Sequence, residues 1–173
     1  RNARLYAREN QRASELTGIG ELAQAVISSR DPSALFSRLV QNITELFHFE
    51  IIGFLIFNPN RRMLEAQQPY VGLPEQFVEM YRLPVPLESD VEKVVLSQSI
   101  LQAKDARIDE VCETIGIREF ALAAGMRDTL LLPLVSGGRM LGFLQFSNAA
   151  DGPDSITKDL LRLLQIVTNQ VAP

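Results

Sequence analysis

Chemistry in this chain would have to be built around one cysteine, Cys112, and one histidine, His48. A thiol and an imidazole are the minimum for a thiolate nucleophile with its base. Cys112, however, lies in a helical, acidic run with Asp109, Glu110 and Glu113, and neighbouring carboxylates oppose a thiolate. A small core or interface residue is the simpler reading of it. His48 falls where a helix should end, a place where a cation interacts well with the helix dipole. With one cysteine and one histidine, a zinc site would need an unusual carboxylate set. The sequence holds no CxxC, HExxH or GxSxG pattern. Ser136-Gly137-Gly138 separates two apolar runs and does not join a strand to a helix, so it is no phosphate loop. The carboxylates are scattered with no pair converging. The reading is a non-catalytic chain with no metal site.

Composition agrees with a packed domain. The chain has 173 residues, 46% of them hydrophobic, and a net charge of −4. That is enough for one core with a helical extension in front, and it gives no reason to expect nucleic-acid binding. No apolar run approaches the ~18–20 residues that span a bilayer, and no signal peptide is visible. A lone cysteine fits a reducing cytoplasm. A first residue of Arg1 suggests a piece of a longer protein.

The elements that must position any site follow in order. Residues 1–30 carry a broken heptad through Leu5, Leu16, Ile19, Ala23 and Val26, which predicts a coiled-coil-like linker helix. Arg1, Arg4, Arg8 and Arg12 line one face of it, as a solvated charge stripe or as a basic stripe following a membrane segment. Asp31-Pro32-Ser33 opens a second helix with Leu35, Leu39, Ile43, Leu46 and Phe47 inward. Residues 49–57 form a central apolar strand, and residues 63–70 a more polar second strand beyond a turn. A short helix at 75–81 precedes an extended, proline-rich stretch at 83–87. Glu88-Ser89-Asp90 caps a helix at 91–97, and 99–102 is a short strand. Residues 109–124 form one or two helices split near Gly116, with Gly125 as C-cap. Residues 129–135 and 140–146 make a hairpin whose glycine loop supplies the positive φ that a tight turn needs. Both runs are nearly all apolar, so this hairpin is central, with Pro133 at a bulge or where no N–H is needed. Asp154 or Ser155 caps a closing helix to about residue 171. Its stripe of Ile156, Leu160, Leu163, Val167 and Val171 is widened by Leu161 and Leu164, enough to invite a partner helix from a second copy. Strands and helices do not alternate strictly, so an antiparallel sheet covered by helices on both faces fits better than a parallel one.

The order of these segments resembles a GAF domain, the small-molecule-sensing relative of PAS domains. The stretches that carry the likeness are ELTGIGELAQAVISSRDPSALFSRLVQNITELF, FEIIGFLIFNPNRRMLEAQ, SILQAKDAR with Asp105, and TLLLPLVSGGRMLGFLQFSN with Pro133, Gly142 and Asn148. Together they cover about residues 20–172. The resemblance implies an α+β fold with a central antiparallel sheet of five or six strands. One face would pack on the first and last helices. The other would hold a pocket roofed by roughly residues 72–125. The domain would span 31–173 behind a 1–30 linker. Relatives of this kind bind cyclic nucleotides, bilins, haem, metals or small organic effectors. The cyclic-nucleotide signature is missing here, Cys112 is followed by Glu113 where bilin binders place a histidine, and His48 is misplaced for haem.

By pattern, the pocket-lining residues are Tyr70, Phe77, Tyr81, Val94, Phe120, Leu132 and Phe146, with Arg118 or Arg127 placed to orient an anion. The expected role is a cytoplasmic sensory module, free-standing or on the cytoplasmic side of a membrane-anchored sensor. It would form a homodimer through its terminal helices and relay a small-molecule signal to an output domain such as a histidine kinase or diguanylate cyclase. The alternatives are a ligand-free docking domain and a GAF-type methionine sulfoxide reductase, the last short of cysteines.

Overall fold

The computed structural model describes residues 37, 38, 40, 41, 43–45 and 47–162. The expected linker helix with its arginine stripe, the cap at residues 31–33 and the closing helix after residue 162 lie outside the described residues. The described positions of 37–45 are helical and are labelled α1. Val40 and Ile43 on it are buried, as is Phe47 just beyond.

Six strands form one antiparallel sheet. They are β1 (Phe49–Asn58), β2 (Met63–Ala66), β3 (Arg82–Pro84), β4 (Leu101–Ala103), β5 (Thr129–Ser136) and β6 (Arg139–Ala149). Their spatial order is β3-β2-β1-β6-β5-β4. The two longest strands, β1 and β6, therefore lie side by side at the centre, as expected for long, largely apolar runs. Ile52 pairs with Phe146 and Leu55 with Phe143 in that central ladder. β5 and β6 form the glycine hairpin: Ser136 pairs with Arg139 across Gly137 and Gly138, whose φ values are +58° and +74°. Two central residues with positive φ are the requirement of a type I′ turn. Pro133 lies past the end of β4, whose pairing with β5 stops at Leu131, and next to a register shift at Leu134/Val135. Its missing N–H is tolerated there.

The second strand is shorter than residues 63–70. It ends at Ala66, and the chain leaves the sheet through Gln67, Gln68 and Pro69 before Val71 bridges back to Ile52. Gln67 still donates its N–H to the Phe54 carbonyl at 2.9 Å, but Pro69 has no N–H to offer, and pairing resumes only at Val71. The proline-rich extended stretch supplies β3, an edge strand that pairs with β2.

The helices between the strands are α2 (Glu75–Met80), α3 (Asp90–Leu96), α4 (Glu110–Ile115) and α5 (Ile117–Ala124). Ser89 caps α3 by accepting the Glu92 N–H, and Asp109 caps α4 by accepting the Cys112 N–H. Gly116 and Gly125 end α4 and α5 in the left-handed conformation. The closing helix starts later than expected. Residues Pro153–Ser155 form a 3-10 turn, and the Thr157 hydroxyl, rather than Asp154 or Ser155, accepts the Leu160 N–H at the head of a helix entered at residue 158.

Two separate cores result, one on each face of the sheet. On one face Val40, Ile43, Phe47, Leu130, Leu132 and Phe146 pack together, with Leu160 and Leu161 against them. On the other, Leu55, Leu64, Leu131 and Phe143 pack under α2 to α5 through Val78, Val95, Ile115 and Ile117. Alternation along each strand assigns its residues to the two faces.

Candidate functional site

The face under α2 to α5 is where a pocket was expected, and its centre is filled. Tyr70, Phe77, Tyr81 and Phe120 form one aromatic cluster, with ring centroids 4.8 Å apart for Tyr81–Phe120, 5.6 Å for Phe77–Phe120 and 5.7 Å for Tyr70–Tyr81. Such spacing is attractive packing between rings. Gly53 makes room for it: a Cβ there would lie 2.3 Å from the Tyr70 ring. Beneath the rings, the Gln145 side-chain oxygen accepts from the hydroxyls of both Tyr70 and Tyr81, the latter at 2.8 Å. The Gln145 amide donates to Ser147 Oγ at 3.0 Å, and Ser147 Oγ lies 2.8 Å from Thr129 Oγ1. All five polar side chains are buried, and each has a partner, as burial demands. Burial pushes the Tyr70 and Tyr81 hydroxyls well above the ordinary tyrosine range, so both remain neutral donors.

The open space lies to the side. A cleft of about 210 Å³ runs between the edge strand β4 and α4, walled by Leu101, Ala103, Val111, Cys112, Ile115 and Leu131. Gln102, Asp109 and Thr129 add polar atoms to its wall. The thiol of Cys112 is pushed up to about 12, chiefly by burial and then by the Asp109 carboxylate. It is a neutral thiol at physiological pH and a poor nucleophile. No group of three His, Cys, Asp or Glu side chains that could hold a metal occurs among the described residues.

The residues expected from the sequence separate accordingly. Tyr70, Phe77, Tyr81, Val94 and Phe120 all belong to the core on this face, where the four rings pack on each other. Leu132 and Phe146 do not: they point to the opposite face and pack with α1. Reading whole apolar runs as pocket wall ignored the two-residue period, which gives Leu131 and Gln145 to this face instead. Arg118 lies on the surface, 3.3 Å from Glu113, beside a shallow groove of about 430 Å³ with Gly116, Glu119 and Leu122. Arg127 is half-exposed and 3.9 Å from Glu50. Neither arginine lines the cleft. Two residues of the interior stand out in the sequence itself: Gln145 is the one polar side chain in MLGFLQF, and Gly53 is the one glycine in FEIIGFLIF. Glycine inside a strand marks a close approach. Asp109 also has two roles, as helix cap and as wall.

A GAF domain family model matches residues 29–173. The chain belongs to the GAF family. No curated protein matches it, but solved GAF structures do so over nearly its whole length. The GAF domain of a phosphoenolpyruvate-protein phosphotransferase from Coxiella burnetii aligns with a TM-score of 0.63 at 15% identity, over 92% of each chain. A domain from a protein assigned as a two-component sensor histidine kinase of Sinorhizobium meliloti 1021 aligns at 0.58 and 14% identity, over 83% of this chain and 90% of that one. A free methionine-R-sulfoxide reductase from Neisseria meningitidis, solved with its substrate, aligns at 0.57 and 18% identity, over 88% and 85%. At such identities the likeness is one of fold. The same fold thus occurs in a phosphotransferase, a sensor kinase and a reductase, and this chain's own residues must decide its role.

Proposed function

We propose that this GAF domain is a non-catalytic regulatory module that senses a small molecule in the β4–α4 cleft. It passes the signal through the sheet to its terminal helices. The observation that carries the reading is the double duty of β5. Leu131 walls the cleft, while its neighbours Leu130 and Leu132 pack in the core shared with α1. A ligand that shifts Leu131 therefore bears directly on the strand that seats the helix. Packed interfaces respond to such shifts by switching between arrangements rather than by bending. In the full-length protein the terminal helices would pair two copies in the cytoplasm and lead to an output domain such as a histidine kinase or diguanylate cyclase. The sensor-kinase relative supports that setting. Among the described residues no helix is long and apolar enough to cross a membrane.

Native mass spectrometry of the purified chain, set against its denatured mass, tests this. A dimer that carries extra non-covalent mass is the expected result. A monomer that remains so at high micromolar concentration removes the helix relay.

The filled aromatic interior favours a second reading, a ligand-free domain that only dimerises or docks. A bare dimer that no small molecule stabilises in a thermal-shift screen would select it. A reductase role has less support. Reduction of a sulfoxide starts from a nucleophilic thiolate and is completed by a second thiol, from the protein or from a reductant; the chain's one cysteine is held as a neutral thiol. Incubation with free methionine-R-sulfoxide and dithiothreitol should give turnover no higher than the blank, for the native chain and for Cys112→Ser alike.

A further inference from the structure

The β4–α4 cleft, taken as the sensing site proposed above, has a chemistry that restricts its ligand. Its walls are aliphatic: Leu101, Ala103, Val111, Ile115 and Leu131. Among the described residues its one charged side chain is Asp109, and no lysine or arginine lines it. The Asp109 carboxylate accepts the Cys112 N–H at Oδ2, 3.0 Å away, and also the Cys112 thiol; a carboxylate has room for further donors beyond these two. A cavity of roughly 150 Å³ with aliphatic walls holds a benzene ring, so about 210 Å³ admits one ring with a short polar arm. A nucleotide or a tetrapyrrole is too large. A phosphate or a carboxylate would meet a negative charge with no cation to offset it.

We infer that the cleft takes a small apolar amine, its hydrocarbon body against Leu131 and Ile115 and its ammonium on Asp109. The aliphatic wall supplies affinity for any ring of this size. The carboxylate selects the cation over a neutral or anionic analogue, because an ammonium adds a full opposite charge to the hydrogen bond that a neutral donor can also make to Asp109, while an anion is repelled.

Benzylamine, benzyl alcohol and benzoate form a probe set of one size and three charges. Their dissociation constants would be measured by NMR titration on the native chain and on two variants. Asp109→Asn keeps the helix cap, since asparagine caps as well as aspartate, and removes the charge. Val111→Trp adds bulk to the cleft wall at a position that is 40% exposed. Benzylamine should bind about tenfold tighter than benzyl alcohol, with benzoate weaker still. Asp109→Asn should bring the amine and the alcohol within about twofold. Val111→Trp should abolish binding of both. If the alcohol or benzoate binds the native chain as tightly as the amine, and Val111→Trp blocks it, the amine class is overturned while small-molecule sensing stands. Binding that survives Val111→Trp, or no binding of any probe, overturns the assignment to this cleft. The sensing role is then judged separately by the mass retained in native mass spectrometry.

Discussion

At the scale of single residues, Gln145 decides how the interior is organised. One amide oxygen serves two tyrosine hydroxyls, and the amide nitrogen reaches Ser147. Gln145→Leu would leave two buried hydroxyls without their acceptor, each costing about 1–3 kcal/mol. Tyr81→Phe removes the donor instead and leaves Gln145 bonded to Tyr70, at about 1 kcal/mol. Urea denaturation should therefore rank Gln145→Leu well below Tyr81→Phe, and equal losses would mean that the network is not a unit. Cys112 gives a pH signature at the same scale. Its thiol rises from an ordinary 9.0 to about 12 on folding, so the unfolded chain gives up the proton first. Stability is then complete below pH 9 and falls as the pH climbs towards 12. The buried tyrosines are shifted in the same direction and add to the fall at higher pH. The urea midpoint should be level from pH 7 to about 8.5 and decline above 9. Cys112→Ala should flatten the first part of that decline.

At the scale of elements, the β1–β6 pair and the junction at its end position everything else. Gly142 has φ +149°, and a Cβ on it would lie 2.1 Å from the Leu55 carbonyl oxygen and 2.8 Å from Ile56 Cα. Both are backbone atoms of the central partner strand, so no side chain can give way. Gly142→Ala should cost upwards of about 3 kcal/mol, with strain and lost strand pairing acting together. A soluble variant within 1 kcal/mol of the native chain by denaturation, on the ~1 kcal/mol scale of an ordinary substitution, would contradict this geometry. Asn148 holds the loop after α5 to the end of the same pair. Its side-chain oxygen accepts the Arg127 N–H at 2.7 Å, and its amide donates to the Gly125 carbonyl at 2.9 Å and to Glu50 at 3.2 Å. The residue also has φ +60°, which asparagine tolerates better than most.

At the scale of the molecule, two cores share one sheet, and adjacent residues serve different cores. Leu131 and Leu132 are both about 1% exposed. Leu131 belongs to the core with the cleft, and Leu132 to the core with α1. Truncation to alanine should destabilise both variants by about 2–5 kcal/mol, yet with different consequences. Leu131→Ala enlarges the cleft and should change the affinity of a small ligand. Leu132→Ala loosens the seat of α1 and should weaken dimerisation with ligand binding kept. Native mass spectrometry and ligand titration on the two variants separate these outcomes, and identical behaviour would mean that the two faces do not divide the roles in this way.

The amino-acid sequence alone determined the family and most of the described elements, though not where β2 ends or the closing helix begins. The glycine hairpin, the split at Gly116, the Ser89 and Gly125 caps and the two apolar central strands follow from local φ preferences and hydrophobic period, which act over a few residues. The segment order then sufficed to identify an α+β GAF fold. What only the tertiary structure decided is which side chains meet. Phe146 and Gln145 are neighbours in sequence and lie on opposite faces. Tyr70 enters the interior because β2 stops at Ala66 and Gly53 leaves space on β1. Whether the pocket is open or filled depends on how Tyr70, Tyr81, Phe77 and Phe120, drawn from three separate segments, pack against each other. Volume is a property of packed surfaces, and no local pattern encodes it.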